Sequence, residues 1–383
     1  TFDTGPRYYF GPITFSKTPY STDFLKRFIN FKEGTPYSPQ KLEKLQTDLM
    51  GSKYFNNVLM QPNINKAQDE QVPLTIKTEA VKSQQYNLGL GYGTNTGART
   101  SIGMDFYRLT DTGQHLSTLI NWSEVSTGIS AKYYFPGKHP SQDQYTIGGS
   151  ISEFNPDSGK AYPRSLSAGY NTAFGDAWHT SMEMNFLNER YSIEDSPYVT
   201  NNYVYPSIYI SRMTADNAIS PTRANRITLS TQAGGPLSKS NFAQAQLSTK
   251  WIIPLGRNNS LITGGSFGTT YATNYNEDFP LSLRYFAGGI GSIRGYEYQS
   301  IGPGKYLKLA SVQINQRVSG DFFIGLFVDE GTASDNINKP LQRGTGIACI
   351  WQTPIGPVSV DVAQASTTKG KPLSLEFSLG AAI

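Results

Sequence analysis

Ala243-Gln-Ala-Gln-Leu-Ser-Thr-Lys-Trp251 decides the fold. Ala243, Ala245, Leu247, Thr249 and Trp251 alternate with Gln244, Gln246, Ser248 and Lys250. A period of two belongs to a strand with one apolar face and one wet face. The pattern returns where Val358, Val360 and Val362 alternate with Ser359, Asp361 and Ala363. It returns again where Leu373, Leu375, Phe377 and Leu379 alternate with Ser374, Glu376, Ser378 and Gly380. About sixteen such segments follow Gln84, near 85–93, 98–109, 115–125, 127–136, 143–154, 165–174, 177–191, 202–215, 223–234, 241–255, 259–272, 305–318, 322–331, 343–353, 356–365 and 371–383. Most exceed the roughly 5–6 residues of an ordinary soluble strand. An even number of long alternating strands predicts a transmembrane antiparallel β-barrel, lipid outside and water within.

Composition agrees. The 383 residues include 24 Tyr, 20 Phe and 37 Gly, but only 16% are charged. Mean hydropathy is −0.40, so uncharged Ser, Thr, Asn and Gln supply the polarity. A soluble enzyme usually carries about a quarter charged residues. No apolar run approaches the roughly 20 residues of a membrane-spanning helix. A net charge of +4 without a basic stripe argues against nucleic acid. Cys349 stands alone, so no disulfide framework is expected. The chain starts at Thr1 without a signal peptide, as a mature or trimmed form would. Aromatics near strand ends (Tyr133, Tyr134, Phe135, Trp178, Tyr203, Tyr205, Trp251, Trp351) are expected to form two interfacial girdles.

Residues 1–82 read differently, as a small α/β domain before a barrel at 83–383. Tyr8 to Ser16 predicts a strand. Ser21 can cap a helix bearing Phe24, Leu25, Phe28 and Ile29. Ser38-Pro39 starts a second, with Leu42, Leu45 and Leu49 at helical spacing and Gly51 at its end. Strands near Val58-Leu-Met60 and from Leu74 to Ala80 complete the order strand, helix, helix, strand, strand.

The longest connection, 273–304, contains Phe286-Ala-Gly-Gly-Ile-Gly-Ser-Ile-Arg294-Gly295-Tyr296. Its glycines nearly imitate a dinucleotide fingerprint, but no βαβ unit surrounds them. If this loop folds into the barrel, Arg294 needs a carboxylate, because an unpaired buried arginine is costly. Asp329, in Phe327-Val-Asp329-Glu-Gly331, is the candidate. Gly295 would let the tip turn closely, and Tyr296 would pack on the inner wall. His115, His139 and His179 fall on separate segments, and no Ser–His–carboxylate set stands out. No catalysis, metal or cofactor is expected.

These motifs resemble the superfamily of outer-membrane assembly and secretion barrels, which carry periplasmic POTRA domains before a sixteen-stranded barrel. The TamA-like branch, the barrel subunits of the translocation and assembly module, is the nearest in pattern. The resemblance rests on Gly5-Pro-Arg-Tyr-Tyr-Phe-Gly11, Phe31-Lys-Glu-Gly34 and Tyr54-Phe55-Asn-Asn-Val58 in the first domain. In the barrel it rests on Leu283 to Gly289, Ser292 to Tyr296, Phe327 to Gly331, Gly344-Thr-Gly346 and Pro354 to Pro357. Ile290-Gly291 departs from it, since TamA-like chains usually have an acidic then a basic residue there. It implies a non-enzymatic protein that inserts or translocates β-barrel proteins such as autotransporters. It also implies a TamB-like periplasmic partner, client barrels and outer-membrane lipid. A two-partner secretion pore is the alternative, and a passive porin a third reading. The resemblance further implies a weak lateral seam between the first and last strands. Gly89, Gly91 and Gly93 would mark one side of it, and Phe377, Leu379 and Gly380 the other.

Overall fold

The structure is a computed structural model and describes residues 6–93, 97–175, 177–194, 196–217, 220–353 and 356–379. In the N-terminal domain, strands β1 (Tyr9–Phe15), β2 (Phe55–Pro62) and β3 (Gln71–Ala80) form one sheet in the order β1-β3-β2. Helices α1 (Thr22–Lys26) and α2 (Pro39–Met50) cover it. Ser21 Oγ accepts from the Phe24 N–H at 3.4 Å and so caps α1. The helix is shorter than its apolar spacing suggests, and Phe28 and Ile29 lie beyond its end. They still join the core around Phe10, Tyr20, Leu45, Tyr54 and Ile76. Burial pushes the Tyr20 and Tyr54 phenols up, so both stay neutral.

The barrel strands are β4 (Gln84–Gly93), β5 (Gly97–Phe106), β6 (His115–Trp122), β7 (Ser126–Pro136), β8 (Asp143–Phe154), β9 (Gly159–Phe174), β10 (Trp178–Ile193), β11 (Val199–Ala215), β12 (Ala224–Gly234), β13 (Phe242–Leu255) and β14 (Asn259–Ala272). A long loop follows, with helix α3 (Tyr275–Asp278) and a small hairpin of β15 (Tyr285–Ala287) and β16 (Ile301–Gly304). The wall resumes with β17 (Tyr306–Ser319), β18 (Phe322–Ser334), β19 (Gln342–Thr353), β20 (Gly356–Ala365) and β21 (Leu373–Leu379). Among the described residues these make one sixteen-stranded antiparallel sheet, from β4 through β14 to β17–β21. Among the described residues no helix is long and apolar enough to cross a membrane. β21 lies beside β4, but no ladder joins them among the described residues.

The alternation becomes two surfaces. Leu229, Leu247 and Phe267 stand in register across β12–β14 and are 39%, 47% and 48% exposed, facing outward. Asp329, Asp361 and Glu376 point inward and are buried. The N-terminal domain fixes which end is which. The Ser21 N–H donates to the Asp111 carbonyl at 2.9 Å. Arg27 donates to the Pro136 carbonyl at 2.8 Å and also to Gly137. The connections after β5 and β7 therefore lie at the proximal end, and loop 273–304 enters from the distal end.

Proximal outward aromatics include the stacked pairs Phe174–Trp178 and Phe322–Trp351, each 5.8 Å between ring centres, and Trp251. Tyr203 and Tyr205 do not belong to a girdle. Strand parity turns both inward, where they are buried against Phe242. Tyr134 likewise shares the inward phase with Lys132, which pairs with Glu183.

Candidate functional site

Loop 273–304 is a strap across the lumen. Its base is held by β10 and β11. Tyr191 Oη donates to the Glu277 carbonyl at 3.2 Å, and Asn201 and Tyr203 donate to the Asp278 carbonyl at 2.8 and 2.9 Å. Glu189 accepts from the Ser282 N–H at 3.1 Å and from its hydroxyl. Arg284 closes the turn internally, donating to Tyr275 at 2.7 Å and to Phe279, with its guanidinium 4.4 Å from the Tyr275 ring centre.

The tip reaches the opposite wall. Arg294 Nε and Nη2 donate to Asp329 Oδ2 and Oδ1 at 2.7 and 3.0 Å, a two-pronged match of guanidinium and carboxylate. The Arg294 N–H also donates to Asp329 Oδ2, at 3.1 Å. Nη1 turns to Gln313 Oε1 at 2.7 Å and Asp361 Oδ2 at 3.0 Å. Ser311 Oγ donates to Asp329 Oδ1 at 2.6 Å. The guanidinium carbon lies 3.4 Å from the centre of the Phe327 ring, a cation–π contact.

Gly295 has φ +93°, and its N–H donates to Glu376 Oε1 at 2.7 Å. A Cβ there would sit 2.8 Å from the Gln364 carbonyl carbon. Tyr296 is buried with Ile293, Ile301 and Ala365, and its hydroxyl is 2.6 Å from Thr367 Oγ1. A Cβ at Gly331 would meet the Lys308 carbonyl and Leu309 of β17 first, and Ile293 of the tip at 3.2 Å. Gly344 likewise leaves space for the Arg294 backbone. The tip thus touches β17, β18, β19, β20 and β21. Beneath it lies a cavity of about 520 Å³, lined in part by Arg226, Lys250, Gln313 and Asp361.

The structure brings Arg294, Gly295, Tyr296, Phe327, Asp329 and Gly331 into one cluster. Gln313, Asp361 and Glu376 complete it, and sequence reasoning assigned them no role. Their signal was a polar or charged group on the wet phase of a strand with uncharged neighbours. Gly89, Gly91 and Gly93 lie on β4, and Phe377 and Leu379 on β21. Gly380 lies outside the described residues.

The Omp85 superfamily domain profile matches residues 108–383. The chain belongs to the Omp85 superfamily. A POTRA profile, described as a surface antigen variable number repeat, matches residues 8–80. The outer membrane protein assembly factor BamA of Neisseria meningitidis is 22% identical over 314 residues. That match takes in 74% of this chain and 39% of the relative, so the chain spans well under half of it. The crystal structure of BamA from Haemophilus ducreyi lacking POTRA domains 1–3 has a TM-score of 0.82 at 19% identity, covering 99% of this chain and 85% of that one. CdiB from Acinetobacter baumannii has a TM-score of 0.68 at 13% identity, covering 97% and 73%. This Omp85 protein is an outer-membrane barrel with its POTRA domain in the periplasm. Its proximal end is therefore periplasmic and its distal end extracellular.

Proposed function

We propose that this protein assists the insertion and translocation of other β-barrel proteins, autotransporters among them, in the manner of TamA. Its partners in this reading are a TamB-like periplasmic protein and unfolded client barrels. The observation that carries it is the latch: one loop tip grips β17, β18, β20 and β21, and β21 borders the one place in the wall without a ladder among the described residues. Closing a barrel removes strand edges, so an unladdered junction is a template for an incoming strand.

The POTRA domain supplies a second edge. The first half of β1 is covered, since Phe10 exchanges hydrogen bonds with Gly34 and Thr35. No strand pairs with the outer side of β2 among the described residues, although Gln46 donates to the Val58 carbonyl at 3.0 Å. An extended polypeptide can add there by main-chain hydrogen bonds. A passive porin has no use for either edge, and a strap across the lumen opposes it.

The test is reconstitution into liposomes with an unfolded client barrel. Faster client insertion than in protein-free liposomes is expected. Export of a soluble partner without client insertion would favour the two-partner secretion pore instead. Ion flux with neither activity would make the protein a porin.

A further inference from the structure

Strands β9, β10 and β11 carry an arginine pair on the outward wall, at the extracellular end, for which the assembly reading has no use. In register, Leu166, Phe186 and Val204 form one outward row. The next row toward the extracellular loops is Ile151, Arg164, Asn188 and Asn202. The row beyond holds Tyr162, Arg190 and Thr200. Leu166 and Ile151 are 62% and 60% exposed, as side chains facing hydrocarbon are. The wall therefore passes from apolar to cationic within one step of the pleat.

Arg164 and Arg190 are diagonal neighbours across the β9–β10 ladder, a relation that places residues about 7–8 Å apart and their Cβ atoms somewhat closer. Both line a shallow depression of about 290 Å³ with Tyr162, Asn188 and Thr200. Arg190 also lies over Tyr198, 4.6 Å from its ring centre. Glu153, on the outward phase of β8, is taken by Lys160 at 2.6 Å. Neither arginine pairs with a carboxylate among the described residues. Two like charges side by side beside hydrocarbon are unfavourable unless an anion sits between them.

We propose that this depression binds the phosphate of a phosphorylated lipid headgroup in the outer leaflet. Guanidinium groups match phosphate oxygens two-pronged, where an ammonium offers a single point of charge. Asn202 and the Thr200 hydroxyl add donors beside them. Asn188 Nδ2 donates to Asn202 Oδ1 at 2.7 Å, which leaves the Asn202 amide nitrogen for a ligand. Tyr162 and Tyr198, 6.3 Å apart, stand at headgroup height as interfacial aromatics do. A membrane lipid is the occupant because Leu166 and Ile151 adjoin the arginines and would lie along its acyl chains.

The experiment reconstitutes the full chain into phosphatidylcholine nanodiscs doped with a phosphorylated glucosamine-based lipid, and counts retained lipid by native mass spectrometry after extraction. Wild-type protein should retain the phosphorylated lipid over its enzymatically dephosphorylated form. Arg164→Gln and Arg190→Gln should each cost about fivefold in retention, as one interfacial cation does. Arg226→Gln, in the lumen, should cost nothing. Equal retention of the two lipid forms by wild type would overturn the proposal, and needs no variant. So would undiminished retention by the double variant, or complete displacement by inorganic phosphate, which would mark a site for free anions.

Discussion

The Arg294 guanidinium lies over the Phe327 ring, its carbon 3.4 Å from the ring centre. Phe327 and Asp329 lie two residues apart and so share the inward face of β18. One strand therefore supplies both the surface the arginine lies on and the carboxylate that neutralises it. Removing the arginine strands Asp329 and Asp361 together.

Arg294→Ala should destabilise the strap by about 3–5 kcal/mol, the usual cost of stranding a buried charge. Phe327→Leu should cost about 0.5–2 kcal/mol for the cation–π contact, and more for the packing Phe327 loses against Ala348, Ile350 and Ala363. Limited proteolysis of 273–304 and client insertion are the measurements. Wild-type values for Arg294→Ala in both would show that the pair is not what holds the strap.

Gly344→Ala places a methyl group on the Arg294 carbonyl. Overpacking of this kind costs about 1–3 kcal/mol. The tip should lift from β19 while the barrel itself still folds. Heat-modified gel migration reports the barrel, and protease access reports the tip. A variant as protected as wild type would place the tip backbone elsewhere.

The seam is tested by a crosslink. Leu90→Cys is combined in turn with a cysteine at each position from Leu375 to Leu379, with Cys349→Ser to remove the native thiol. A formed disulfide should abolish client insertion, and reduction should restore it. Full insertion by a fully crosslinked barrel would exclude lateral opening between β4 and β21.

Met60→Pro removes a main-chain donor from the outer edge of β2, because Leu59, Gln61 and Asn63 face β3, where the Asn63 N–H donates to the Pro73 carbonyl at 3.0 Å. Met60 is only partly buried, so the substitution disturbs the core less than one at the buried Val58. Photocrosslinking of client or periplasmic partner to the POTRA domain should fall several-fold, while its melting temperature shows whether the domain still folds. Unchanged crosslinking in a folded domain would count against pairing at this edge.

The barrel was legible because lipid and lumen impose opposite polarity on adjacent residues, as at Leu247 and Ser248. Strand ends were less so. β9 begins at Gly159, before the turn-like Pro163, where an interrupted alternation suggested a start near 165. Proline is tolerated because the β8 ladder is gapped there, running from Ile151–Arg164 to Phe154–Ala161. Arg294 and Asp329 could be named from charge logic within a recognisable loop and strand. Asp361 and Glu376 could be placed on a face but given no partner, because alternation carries no information about which strands a distant loop will touch. Tyr203 and Tyr205 were misplaced for the same reason. A tyrosine near a strand end suits an interface or a packed lumen equally, and only the strap above them decides.

Wall height varies around the circumference. β6 has 8 residues and β5 has 10, whereas β10 and β11 have 16 and 17. At roughly 3.3 Å per residue and a tilt of about 40°, β6 stands about 20 Å tall and β10 about 40 Å. A barrel's apolar band is usually about 25 Å. The bilayer must pinch inward beside β6 to meet its rim, at a cost of fractions of a kcal/mol per Å. Acyl chains there are compressed by the short rim itself, so the protein carries a standing defect in the membrane, two strands from the unladdered β4–β21 junction.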